Sequence, residues 1–332
     1  MISFGGAKHD VWISAIIVTF LGMAGGYLMI VLALRYPSCT IIQYSQIVLG
    51  KWLGKLVGLI YIAFSILLAS AANRDFSELF LSFLYPYTPI LIITLIIVVA
   101  SAYALTVGLP LIARSAELLV PFLLFVIFFG ILASIPNMHL SALSLVLENG
   151  WQPVVKDAVT ELPWLGLAFY WLFLVPQLKI KATAKKTLPI ALLIVSIITF
   201  FIAVTIVAVL GPYIPPASNY QFYSILRLIR IGGFIERIEP IFLLSWAGSS
   251  FLVVSIFYYT ALASIKEFFN LRTYRPAIIP VGTLIIYLSI KLFPSYMDLR
   301  SFFSLERFGL IALPVEFGIP LLILIVGYLR GK

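Results

Sequence analysis

The side chains of this sequence that could do chemistry are few, and most stand inside long apolar stretches. Glu316 lies in LPVEFGIP, flanked by Pro314, Gly318 and Pro320 and about five residues into the last apolar run. A charge in the middle of a bilayer costs about 2.5 kcal/mol or more. Glu316 therefore reads either as an interior acid at a helix break or as an acid near the outer interface, where the cost is small. Ser245, Ser249 and Ser250 form the densest polar cluster, in LLSWAGSSFLVV beside Trp246. Ser245 and Ser249 lie about one helical turn apart, so their hydroxyls can cement helix packing or replace the hydration of an ion. Tyr61, Ser65 and Ser70 form a thinner version of the same pattern, and Arg74 and Glu78 have the spacing of an ion pair on one helix face. This is the chemistry of binding. There is no nucleotide-binding loop, nucleophile elbow, pair of in-membrane carboxylates or histidine relay, so an enzyme is not expected. Cys39 is the one cysteine, and His9 and His139 are the two histidines. Neither a disulfide framework nor a metal or haem site is expected, and no cofactor.

The elements that must position these residues are membrane helices. The chain has 332 residues, 62% hydrophobic and 11% charged, with a mean hydropathy of +1.12. Soluble domains carry about 25% charged residues, so an all-α polytopic membrane protein is implied. Nine apolar spans are predicted, at about Val11–Leu34, Leu56–Ala72, Pro89–Val107, Leu118–Ile135, Ala158–Leu178, Leu188–Leu210, Pro240–Ile265, Ala277–Phe293 and Ile311–Leu329. The net charge of +9 then reads as topological bias and attraction to anionic membrane lipid, with no nucleic-acid partner expected. The loop bearing Lys179, Lys181, Lys185 and Lys186 carries +4, whereas the segment bearing Glu148, Lys156, Asp157 and Glu161 carries −2. The positive-inside rule places the +4 loop and the C-terminus in the cytoplasm and the N-terminus outside. Ser38–Lys55 has the spacing of an interfacial helix, and Pro212–Pro240 contains an amphipathic outer segment with Arg227, Arg230 and Arg237.

Lys156–Lys186 stands out among the spans. Its unbroken apolar part, Leu162 to Pro176, makes about 22 Å of helix, short of the ~30 Å hydrocarbon core. To cross, the segment must recruit Lys156, Asp157 and Glu161. With Pro163 and Gly166 at the front edge of the apolar run, it reads as a kinked helix or as a discontinuous one with an unwound turn at 163–166.

The order of motifs resembles a known family. DVWIS (Asp10–Ser14), RYPS, QYSQIVLGKWLGKLVG (Gln43–Gly58), RDFSEL (Arg74–Leu79), RSAELLVPFLL (Arg114–Leu124) and IPNMHLSALSLVLENGWQPVVKDA (Ile135–Ala158) carry the resemblance. LGPY, RLIRIGGFIERIEPIF (Arg227–Phe242), YRP (Tyr274–Pro276), LFPS (Leu292–Ser295) and LPVEFGIP continue it. Together they resemble the B subunit of the nutrient germinant receptors, the GerAB-type spore germination permeases of the amino acid/polyamine/organocation transporter superfamily. The resemblance implies an inverted-repeat, LeuT/APC-like helical bundle of ten spans whose first and sixth are broken. MISFGGAKHDVWIS looks like the tail of the first span, so most of that span is expected to be missing. One permease-like domain over 1–332 follows, with 11–135 as the first repeat and 154–330 as the second.

The family commonly has an acid after the glycine of its sixth-span turn. Here Pro163-Trp164-Leu165-Gly166-Leu167 has none, so that carboxylate's role does not carry over. The family implies a subunit of the cell membrane or spore inner membrane that binds an amino acid-like germinant and signals with A and C subunits. The pocket it implies comprises Pro163, Trp164, Gly166 and Phe169, closed by Trp246, Ser249, Tyr61 and Ser65, with Ser249 and Ser250 at an ion site. A secondary amino-acid permease and a shortened, inactive paralogue (or a misassigned start) are the alternatives; in-frame sequence upstream of Met1 tests the last, and uptake by the protein alone separates permease from receptor.

Overall fold

The computed structural model describes residues 7–144, 146–211, 220–229 and 239–331. The secondary structure within them is helical. A 3₁₀ turn, Lys8–Asp10, leads into α1 (Val11–Arg35), followed by α2 (Ile41–Leu49), α3 (Lys51–Phe83), α4 (Ile90–Val107) and α5 (Leu109–Ser134). Then come α6 (Trp151–Gly166), a 3₁₀ stretch (Leu167–Tyr170), α7 (Trp171–Leu174), α8 (Ala184–Leu210), α9 (Gln221–Leu226) and α10 (Glu239–Phe268). The chain closes with α11 (Ile278–Lys291), α12 (Tyr296–Phe302), a π turn (Leu305–Gly309), α13 (Leu310–Leu313), a second π turn (Pro314–Gly318) and α14 (Ile319–Leu329).

Among the described residues, eight helical segments are long and apolar enough to cross a membrane. A ninth is obtained if Arg275–Lys291 and Tyr296–Phe302, which meet at 104°, count as one span. That bend falls where the predicted eighth span ends: Pro294 cannot continue a helix, and Ser295 restarts one by capping Asp298 in a reciprocal box.

Two other predicted boundaries move. The interfacial helix expected over Ser38–Lys55 is confined to α2, because Gly50 turns the chain at φ +94°, a conformation side chains resist. Lys51 and Lys55 thus belong to the first turns of α3. The helix through Pro163 and Gly166 does not unwind there. The Leu167 N–H still reaches the Pro163 carbonyl, and the irregularity falls one turn later as the 3₁₀ stretch. The amphipathic segment predicted within Pro212–Pro240 lies mostly outside the described residues; α9 is the part that is seen.

The chain forms two compact units, each drawing on several separate segments. The first comprises Met1–Tyr27, Pro121–Ala168 and Lys185–Ser245. In it the Ser14 hydroxyl donates to the Val154 carbonyl at 3.0 Å, and Asp10 Oδ1 accepts from the Leu147 N–H at 2.9 Å. Gly22 lets α1 meet α6 closely: a Cβ there would sit 2.3 Å from Leu165 Cδ1.

The second unit comprises Leu28–Val120, Phe169–Ala184 and Trp246–Lys332. It packs α3 against α2, α4, α11 and α12, and α2 against α14. Polar ties hold these helices together. Asn73 Nδ2 donates to Ser289 Oγ at 3.3 Å, the Ser289 hydroxyl donates to the Ser70 carbonyl at 3.0 Å, and Ser255 meets Ser101 at 3.0 Å. Such bonds are interhelical glue where water is absent.

Candidate functional site

The site is best built from LPVEFGIP in the last span. Pro320 has no N–H to give, and the Ile319 N–H bonds Pro314 O, five residues back. That pairing widens the helix into the π turn Pro314–Gly318. It also orphans the Val315 carbonyl: its α-helical donor would be Ile319, which is engaged, and its π-helical donor would be Pro320. A buried carbonyl left unmet is costly, and the Tyr61 hydroxyl from α3 donates to it at 3.0 Å. Proline spacing in one helix thus explains the placement of a tyrosine in another.

Glu316 occupies the same π turn. Its exposure is 0%, and neither carboxylate oxygen has a hydrogen-bond partner. At 1.5 Å per residue it lies about 17 Å from the start of the Leu305–Leu329 span, near the middle of that segment, which favours the interior reading. Tyr61 and Tyr170 are close enough to interact electrostatically with it. Ser65 stands one turn beyond Tyr61 on α3, and its hydroxyl approaches that of Tyr170 without achieving hydrogen-bond geometry.

The 3₁₀ stretch supplies the wall. Phe169 stacks on Tyr61 with ring centroids 5.4 Å apart, lies 5.7 Å from Phe64 and meets Phe173 edge-on at 6.5 Å. Tyr170 stacks on Phe257 of α10 at 4.8 Å. The result is a buried aromatic cluster with two unbonded hydroxyls and one acid within electrostatic reach.

Of the predicted pocket residues, Tyr61, Ser65 and Phe169 come together here. Trp246 does not join them. It packs against Phe76, Ile93, Ile97 and Val254, and Phe76 lies about 22 Å along α3 from Tyr61. The Ser249 hydroxyl donates to the Trp246 carbonyl at 2.9 Å and that of Ser245 to Phe242 at 2.7 Å, each within its own helix. Ser250 is half-buried on the same helix. Pro163, Trp164 and Gly166 belong to the first unit, with Pro163 and Gly166 buried and Trp164 half-buried. Sequence reasoning left Glu316 and Tyr170 outside the pocket. The signal for Glu316 was its bracketing prolines; Tyr170 offered none beyond its place after Phe169. Among the described residues, no three His, Cys, Asp or Glu side chains gather as a metal set.

The sequence pattern of the spore germination protein family matches residues 2–296. The chain belongs to the spore germination permease family. Relatives from Bacillus subtilis (strain 168) include spore germination protein KB, 26% identical over 88% of this chain and 79% of that protein. Spore germination protein YndE is 26% identical over 97% and 88%, and spore germination protein A2 is 28% identical over 85% and 77%. Among solved structures, MhsT in complex with L-phenylalanine aligns with a TM-score of 0.62 at 16% identity, covering 97% of this chain and 81% of MhsT. The all-α, multi-pass bundle of this permease-family member therefore has the LeuT-like transporter fold.

Proposed function

We propose that this permease-family chain is the membrane subunit of a germinant receptor. In this reading it binds a small, amino acid-like nutrient and passes the signal to A and C receptor subunits in the spore inner membrane, with its C-terminus in the cytoplasm. The reading rests chiefly on one observation. The helical interruptions at Leu167–Tyr170 and Pro314–Gly318 meet around Tyr61, bringing aromatic walls, free hydroxyls and an acid to one buried place. Interrupted helices near mid-membrane are where transporter folds hold polar ligands. MhsT, of the same fold, was solved with an amino acid bound. Function by recognition, without catalysis, follows from the residue types.

The test is saturable binding of radiolabelled amino acids to the purified full chain, followed by germination of spores carrying variants. Phe169→Ala is expected to raise the nutrient concentration needed by at least about tenfold. Trp164→Ala and Gly166→Leu should also act more strongly than Ser70→Ala, since the Ser70 hydroxyl is spent on the Ile66 carbonyl at 2.8 Å. Equal effects from all four would place the nutrient elsewhere. The transporter fold favours a second reading, an amino-acid permease in which Ser249 and Ser250 take a coupling ion. Uptake by proteoliposomes containing the chain alone would establish it. Co-purification with A and C subunits and no uptake would favour the receptor.

A further inference from the structure

Glu316 is not accounted for by nutrient binding alone. It is fully buried, mid-span, and both oxygens are without a hydrogen-bond partner. Among the described residues, no lysine, arginine or histidine makes an ion pair with it, in contrast to Glu78, which pairs with Arg74. Protonation would remove the charge but leave a buried O–H with no acceptor within hydrogen-bond distance in this arrangement. The hydroxyls of Tyr61 and Tyr170 lie near enough to interact with it electrostatically, Ser65 stands beside Tyr170, and the hydroxyls of Tyr170 and Ser65 are unbonded. Tyr61 and Tyr170 are also the titratable groups that face it, from α3 and from the 3₁₀ stretch, and both are neutral as phenols.

We propose that Glu316 is the counter-charge of an internal site for a monovalent cation, either an alkali ion or the ammonium group of an amine-bearing ligand. One carboxylate balances one positive charge; a divalent ion would leave a net charge buried at high cost. Hydroxyl oxygens suit both occupants, as coordinating atoms for the ion or as acceptors for N–H groups. The π turn brings the carboxylate within electrostatic reach of the Tyr61 and Tyr170 hydroxyls, and such bulges are frequent at functional sites. The ammonium form of the proposal rests on the nutrient-binding reading; the alkali form does not.

The test uses the purified full chain in detergent, with its thermal unfolding midpoint read at constant ionic strength. N-methylglucamine chloride is the reference, replaced in turn by sodium, potassium or propylammonium chloride. At least one replacement should raise the midpoint saturably, as a ligand specific to the folded state does. Glu316→Gln should weaken that effect by roughly 100-fold. Ser65→Ala combined with Tyr170→Phe, which keeps the acid, should weaken it by roughly tenfold and serves if the Gln variant fails to fold. A shift with sodium or potassium identifies an ion site; a shift with propylammonium alone identifies the ligand's amine. No cation shift, or one that survives in both variants, overturns the proposal. Amino-acid binding that persists in Glu316→Gln without any cation shift would remove the cation site and leave the nutrient reading standing. A cation shift without amino-acid binding would do the reverse.

Discussion

Two buried polar regions of the second unit are built on the same helix, α3, and are treated in opposite ways. Near the end of α3, Arg74 pairs with Glu78 at 2.9 Å and donates to the Pro294 carbonyl at 3.3 Å. One residue before, Asn73 reaches Ser289 and the Thr94 carbonyl, and only its Oδ1 is left without a bond. About two turns earlier, Ser65 has no partner, and the acid nearby, Glu316, has none for either oxygen. The first region spends its polar groups on one another and holds α3, α4 and α11 together. The second keeps its groups unspent behind aromatic rings, at a cost in stability that packing alone does not explain. Buried polar groups used as glue come mostly satisfied; a cluster left almost wholly unsatisfied is held for something else.

The largest expected effect comes from breaking the satisfied side. Glu78→Ala removes the ion-pair partner of a mostly buried Arg74 and should destabilise the purified protein by about 3 kcal/mol, read as a lowered unfolding midpoint. Glu316→Gln, by the same measurement without added cation, should cost less than about 1 kcal/mol, because it replaces one buried group without hydrogen-bond partners by another of the same shape. Similar losses from the two would erase the distinction between the regions.

A sharper and smaller contrast lies between two tyrosines that face the same acid. Tyr61→Phe removes the donor that the Val315 carbonyl needs, since Ile319 and Pro320 cannot supply one. A loss of about 1–2 kcal/mol is expected, with faster hydrogen exchange in the Pro314–Gly318 turn. Tyr170→Phe removes a hydroxyl that bonds nothing and should change stability by less than about 0.5 kcal/mol. If the two variants match, the hydroxyl of Tyr61 is not what completes the π turn.

These contrasts bear on how much of the molecule its sequence reveals. Spans, polarity and the family are legible, because apolar length and motif order survive without knowledge of packing. Helix interruptions are less so. Pro121, Pro163 and Pro189 all lie inside continuous helices, yet Pro314 and Pro320 bound a π turn. A single proline removes one hydrogen bond, and neighbours in a membrane bundle can replace it. Two prolines six residues apart remove donors on either side of one turn, and the register shifts. Glu316 was visible as an unusual residue, but its isolation was not, because a missing partner is a property of three dimensions. Trp246 misleads for the related reason that its neighbours are set by where α10 crosses α3, which no local motif encodes.

The smallest expected effect tests the comparison where it is most easily broken, at single serine hydroxyls. The Ser289 hydroxyl shares its one proton between the Ile285 carbonyl at 2.7 Å and the Ser70 carbonyl at 3.0 Å, and accepts from Asn73. Ser289→Ala removes an interhelical bond and takes a partner from the Asn73 amide, for a loss of about 0.6 kcal/mol and at most about 1.7, the average and upper limit for such bonds in membranes. Ser65→Ala, on the face that carries Tyr61, removes a hydroxyl that bonds nothing and leaves a methyl group in an aromatic surround. Its unfolding midpoint should equal that of the parent chain within error, while its response to ligand falls. The two variants change the same atom in equally buried positions, so volume and exposure cannot account for a difference between them. If Ser65→Ala proves as destabilising as Ser289→Ala, Ser65 is already bonded in the folded protein and the second region is glue like the first.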